Sequence, residues 1–166
     1  MSERLCRNAL VHAASAYYRS AGRFAWHFAR GKLRGDPAFR AILEQGLLER
    51  CRRLLDLGAG QGLLAAWLLA ARQRYASERR GAWPRGWPAP PQLDSYTGLE
   101  INAAEVRRAR AAFALDPGVR VQIVHGDICD LDFGSADPPR RPTARRRSRV
   151  PRSRSISPKS KTCSRG

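Results

Sequence analysis

Cysteine, histidine and methionine are scarce in this chain of 166 residues, which holds four, three and one of them. The cysteines stand at Cys6, Cys51, Cys129 and Cys163, and no two have the Cys-x-x-Cys spacing of a zinc or dithiol redox site. Unpaired thiols without an export signal point to a reducing compartment, so a cytoplasmic location is expected. Long apolar runs are missing as well. The longest, Leu63 to Ala71, has nine residues, and a membrane span needs about 20. Near the amino end, Arg4 and Arg7 are followed by Ala9 to Tyr18, where His12 and Ser15 interrupt any apolar core of a leader peptide. There is no internal repeat. Acidic residues are few, 14 against 31 Lys and Arg, for a net charge of +17.

That charge is unevenly spread. Residues 1–133 hold 20 basic and 13 acidic side chains, a net of +7. Residues 134–166 hold 11 basic side chains and one acid, Asp137, a net of +10. The only non-polar side chains there, prolines aside, are Ala136, Ala144, Val150, Ile156 and Cys163, and five of the 11 prolines fall there too. Such a segment buries too little apolar area to offset the entropy of ordering it, which predicts disorder over 134–166. The rest divides into an N-terminal helical segment, 1–50, and a second region, 51–133.

Between Arg4 and Arg19, apolar residues at Leu5, Ala9, Leu10, Ala13, Ala16 and Tyr17 follow a period near 3.6, which predicts a helix. A second helix is expected over Gly22–Arg30. A third is expected from Pro37 to about Arg50, opened by the cap-and-proline pair Asp36-Pro37. Arg53 to Leu57 reads as a buried strand and Leu63 to about Arg80 as a long helix. Gly81 to Gln92, with Trp83, Trp87 and four prolines, reads as a loop, a surface insertion rather than a substrate contact. Leu93–Leu99 is a second strand, Asn102–Ala114 a helix, Asp116-Pro117-Gly118 a turn and Val119–His125 a third strand. The order β-α-β-α-β begins a doubly wound parallel sheet.

The informative segment runs from Leu54 to Gly62. A strand ends, the chain turns on Gly58, Gly60 and Gly62, and a helix begins. Glycine supplies positive φ and leaves out a Cβ where a ligand lies against backbone, while the helix start offers unpaired N–H groups. Two acids fall just past the carboxyl ends of the next strands, where this architecture binds ligands. Glu100 is placed to accept hydrogen bonds from a ribose diol, and Asp127 to accept one from an exocyclic amine of a purine.

Asp56-Leu-Gly58-Ala-Gly60-Gln-Gly62, then Gly98-Leu-Glu100-Ile, then His125-Gly126-Asp127-Ile128 resemble the first three motifs of class I S-adenosylmethionine-dependent methyltransferases, over roughly residues 52–133. The resemblance implies a Rossmann-like fold and S-adenosyl-L-methionine as cofactor. It implies that Asp56, Gly58, Ala59, Gly60 and Gly62 meet its methionine part, Glu100 with Ile101 its ribose, and Asp127 with Ile128 its adenine. A dinucleotide-binding fold of NAD type competes, because Gly60-Gln-Gly62-Leu-Leu-Ala65 fits G-x-G-x-x-G/A. Its acidic residue belongs about 20 positions on, whereas Glu100 follows Gly62 by 38.

The resemblance stops near Phe133, so about three strands of an incomplete sheet are expected. Where the family continues with an apolar fourth strand, this chain has Pro138-Pro139-Arg140-Arg141-Pro142 and Arg/Ser/Pro-rich sequence. One explanation is an Arg-Ser tail that binds nucleic acid through phosphates. The favoured one is a reading frame lost near Asp137 in a GC-rich gene, which leaves a cofactor-binding half with impaired activity. A small-molecule methyl acceptor is expected rather than nucleic acid. No catalytic base is identified and no metal site is expected. His125 is assigned no catalysis. Trp26, Phe24 and Phe28 are expected as packing residues, and Tyr17, Tyr18 and Arg23 are candidates for a lid.

Overall fold

Among the described residues three strands alternate with two helices, and three further helices precede them. The structure, a computed structural model, describes residues 2–77, 83–114 and 120–130. Helix α1 spans Glu3–Ala16 and is followed by a single 3-10 turn at Tyr17–Arg19. Next come α2 (Arg23–Gly35), α3 (Pro37–Glu44), β1 (Arg53–Leu57), α4 (Leu63–Ala76), β2 (Ser95–Glu100), α5 (Ala103–Phe113) and β3 (Arg120–His125). A 3-10 turn at Ile128–Asp130 closes the described region. The expected turn at 116–118, the expected disorder over 134–166 and the first residue of the third strand, Val119, lie outside the described residues.

The three strands form one parallel sheet in the order β1-β2-β3, with Leu54 beside Tyr96, Tyr96 beside Val121 and Gly98 between Asp56 and Ile123. This is an incomplete Rossmann-like α/β fold. Parallel strands require crossovers, and α4 and α5 supply them. Leu54, Tyr96, Val121 and Ile123 share the helix-covered face and join the core. On the opposite face Leu55 and Leu57 are 47 % and 43 % exposed.

The first nine residues of α4 are apolar all round, Leu-Leu-Ala-Ala-Trp-Leu-Leu-Ala-Ala, and Leu63 and Ala65 through Ala71 are all buried. A helical stretch of that composition has no solvent face and must be enclosed. Its neighbours in the core are Leu10, Ala14 and Tyr18 from the N-terminal segment, Ala25, Ala29 and Leu33 from α2, and the sheet. Trp67 lies at the centre, with its indole N–H donating to the Phe39 carbonyl at 2.7 Å.

Three expectations are corrected. The third helix ends at Glu44 instead of Arg50, because Gly46 takes a φ of +63° and Pro88 packs 2.9 Å from where its Cβ would stand. The Trp/Pro segment is no loose surface insertion: Pro90 is fully buried, Trp83 packs edge-on to Tyr75 and Trp87, and its indole donates to the Pro88 carbonyl. Finally, α2 turns Ala25, Ala29 and Leu33 inward at helical spacing, which leaves Phe24 and Phe28 exposed and stacked on each other, with the Arg108 guanidinium over Phe24. Only Trp26 of the three aromatics packs on the core.

Candidate functional site

The glycine turn sits at the carboxyl end of β1, beside the end of β2. Gly58, Gly60 and Gly62 have φ of +77°, +54° and +76°, a region that side chains with a Cβ rarely enter. The N–H groups of Gly58 and Ala59 both donate to the Leu99 carbonyl at 2.9 Å, which curls the turn over the adjacent strand. Gly62 donates to the Ala59 carbonyl at 2.8 Å, and α4 starts at the next residue.

The glycines serve two different needs. A Cβ on Gly58 or Gly60 would meet nothing within 4 Å, so open space borders the backbone there. A Cβ on Gly62 would stand 2.8 Å from the Phe113 ring, so its missing side chain makes room for the core. Gly98 resembles Gly62 in this respect, since a Cβ there would lie 2.8 Å from that of Ala59.

Glu100 ties the turn to the second strand end. Its Oε2 accepts from the Gly60 N–H at 2.8 Å and its Oε1 from the Asn102 N–H at 2.7 Å. Each oxygen keeps a second lone pair, so the carboxylate retains acceptor capacity. Asn102 in turn caps α5 by accepting from the N–H groups of Ala104 and Glu105. Ile101, next to Glu100, is 64 % exposed.

Asp56 faces the helix side of the sheet, half-buried, and its carboxylate accepts a hydrogen bond from the Tyr96 hydroxyl. Burial pushes its pKa up, the Tyr96 bond opposes this, and the charge of Glu100 adds to the rise. Burial also pushes the Tyr96 phenol far up, as it does Tyr18, so both stay protonated. Because the folded chain holds the Asp56 proton more tightly than the unfolded chain, stability falls as pH rises from the ordinary value of 3.8 through the raised folded value. Asp56→Asn is expected to remove that decline. The stability difference between variant and wild type, followed by urea melts from pH 3 to 7, should grow in the variant's favour as pH rises.

Asp127 and Ile128 follow β3. Asp127 accepts from the Cys129 N–H at 2.9 Å, and Ile128 is 47 % exposed. The fold brings Asp127 to the same sheet end as Glu100, since Glu100 is the β2 partner of His125. The His125 ring nitrogen Nε2 lies 2.9 Å from the Ile101 carbonyl. Among the described residues no group of three or more His, Cys, Asp and Glu is placed to hold a metal, and no helix is long and apolar enough to cross a membrane.

Two residues under the turn carry more than their sequence positions suggest. Tyr18 is fully buried and donates to the Gln61 carbonyl at 2.9 Å, so it forms a floor to the turn and not a lid. Tyr17 packs on the Phe113 ring at 5.6 Å between centroids, and Arg23 borders a separate cavity with Trp26. Gln61 is 3 % exposed, and its side-chain oxygen has no hydrogen-bond partner among the described residues. Tyr96 is the other unforeseen member; its alternation with Thr97 in β2 was the available signal that it faces Asp56.

No family model matches the chain, and no curated protein matches it. Among solved structures, the X-ray structure of YjhP from E. coli, a structural genomics target, is similar at 20 % identity and a TM-score of 0.35, over 55 % of this chain and 30 % of that one. The chain thus spans about a third of the length of that protein.

Proposed function

We propose that residues 52–133 form the cofactor-binding half of an S-adenosylmethionine-dependent methyltransferase of class I, acting on a small-molecule acceptor. The observation that carries this reading is the pairing of Glu100 with the Gly60 N–H at the adjoining carboxyl ends of β1 and β2, beside glycines that border open space. Cofactors of nucleoside type bind at this end of such sheets.

The residues present suit that group. Glu100 offers its remaining lone pairs to a ribose diol, with Ile101 beside it. Gly58, Ala59 and Gly60 let a ligand approach the backbone without meeting a side chain. Asp127 accepts from an exocyclic amine, and the exposed Ile128 side chain covers a purine face. Asp56 braces the turn through Tyr96 and lends negative charge below the methionine part. When bound, S-adenosylmethionine supplies a methyl group activated by a sulfonium centre. The protein's contribution is alignment of acceptor and cofactor. The Arg/Ser/Pro-rich sequence after Asp137 has no apolar run of strand length, and methyl transfer by this chain is impaired accordingly.

Isothermal titration of the folded chain tests the reading. S-adenosylmethionine is expected to bind, NAD not to bind, and Glu100→Ala to weaken binding by about tenfold or more, the usual cost of losing hydrogen bonds to a charged group. Absence of heat with folded protein, or equal affinity in the variant, overturns it.

A further inference from the structure

A second cleft lies where the methyltransferase reading assigns nothing. Two adjoining cavities, of about 130 and 290 Å³, share Glu3, Arg40, Glu44 and Trp87. Their walls are the first turns of α1, the end of α3 and the turn at residues 84–87. That turn is anchored near the last turn of α4, because Trp87 packs on Trp83 and Trp83 on Tyr75. It therefore sits at the end of α4 opposite the glycine turn, which opens that helix.

The charge in the cleft is unbalanced in a specific way. Both acids are committed to one cation: Arg40 meets Glu44 at 2.5 Å and Glu3 at 3.8 Å. Arg4 and Arg7 also line the smaller cavity and Arg85 the larger, and among the described residues none of the three forms an ion pair with an acid. Arg4 and Arg7 stand three apart on α1, so they share one face of the helix. Gly86, at a φ of +94°, lets the chain reverse so that Trp87 donates its N–H back to the Pro84 carbonyl at 3.3 Å. That reversal brings Arg85 and Trp87 to the wall of the same cavity. The positive end of α1, capped by Ser2, adds its dipole.

We infer that this cleft binds a nucleotide unit, its phosphate held by Arg4, Arg7 and Arg85 and its base lying against Trp87. Guanidinium groups match phosphate oxygens in pairs, and an indole held by its neighbours is a stacking platform for a base. A purely solvated basic face would have neither the walls nor the fixed ring. The nucleotide could come free or as part of a single strand, and the chemistry is the same.

The test uses the full chain with uridine 5′-monophosphate, octauridylate and 5-iodouridine 5′-monophosphate. Uridine monophosphate is chosen because it lacks the purine expected at the glycine turn. Arg4 and Arg85 are exposed, so Arg4→Gln with Arg85→Gln leaves the core intact, checked by an unchanged circular dichroism spectrum. The double variant is expected to bind uridine monophosphate at least tenfold more weakly, and ultraviolet cross-linking of the iodinated probe should map to Trp87. Equal wild-type affinity for monophosphate and octamer identifies a free nucleotide. A tighter octamer with steep salt dependence, weakened by the same substitutions, identifies a single strand. No binding of uridine monophosphate at millimolar concentration, unchanged affinity in the double variant, or cross-links confined to residues outside the cleft overturns the inference.

Discussion

Trp67→Ala is expected to lower the unfolding free energy by about 3–5 kcal/mol, the usual range for truncating a fully buried large aromatic. The side chain is 1 % exposed at the middle of α4. Three losses combine. The indole fills the space between α4 and the N-terminal helices. Its edge-on contact with Phe39, 6.2 Å between centroids, disappears. The Phe39 carbonyl loses the 2.7 Å bond it accepts. For a domain of this size the loss corresponds to a fall in melting temperature of roughly 10–20 °C. Trp67→Phe keeps most of the volume but not the donor and should fall between. A melt by circular dichroism showing less than about 1 kcal/mol of loss in Trp67→Ala would contradict the central place given to this residue.

Gly62→Ala is the second large effect, expected at about 2–5 kcal/mol. Two costs of separate origin contribute. A residue with a Cβ at a φ of +76° carries a left-handed penalty of about 1–2 kcal/mol. The new methyl stands 2.8 Å from the Phe113 ring, which must move at an overpacking cost of about 1–3 kcal/mol. The two are separable. Phe113→Leu introduced alongside Gly62→Ala should recover part of the packing cost and none of the backbone cost, so the pair is non-additive in a double-mutant cycle. Gly58→Ala has the same sign of φ and open space around the new methyl, so it should cost only the backbone share. Urea denaturation of the four variants measures all of this, and equal losses for Gly58→Ala and Gly62→Ala would refute the distinction.

The sequence makes some of these features legible and hides others for physical reasons. The alternation of strands and helices is visible because Leu54 to Leu57 and Leu63 to Ala71 are short apolar blocks separated by glycines, a local pattern. The helix starts at Pro37 and Ala103 are visible because Asp36 and Asn102 are cap residues. Helix ends are harder. α3 stops at Glu44 because of a contact between Gly46 and Pro88, which are 42 positions apart. The floor of the turn is hidden for the same reason: Tyr18 and Gln61 are separated by 43 residues, and nothing local marks Tyr18 as facing inward and down rather than over the turn. The Trp/Pro segment looks like an insertion because its prolines break secondary structure, yet prolines also pack, and Pro90 does. Among the acids the positions of Asp56, Glu100 and Asp127 are readable from strand ends, whereas the bonds that occupy Glu100 and Asp56 depend on the register between β1 and β2.

The Tyr18 hydroxyl bond to the Gln61 carbonyl links the first helical segment to the glycine turn, and it has a kinetic consequence. An opening that detaches α1 removes the floor of the turn in the same event, so the amides of Gly60 and Gly62 should exchange with solvent deuterium at rates that follow those of Leu10 and Ala14, 46 or more positions away in the chain. Two segments that look independent along the sequence would then breathe as one cooperative unit.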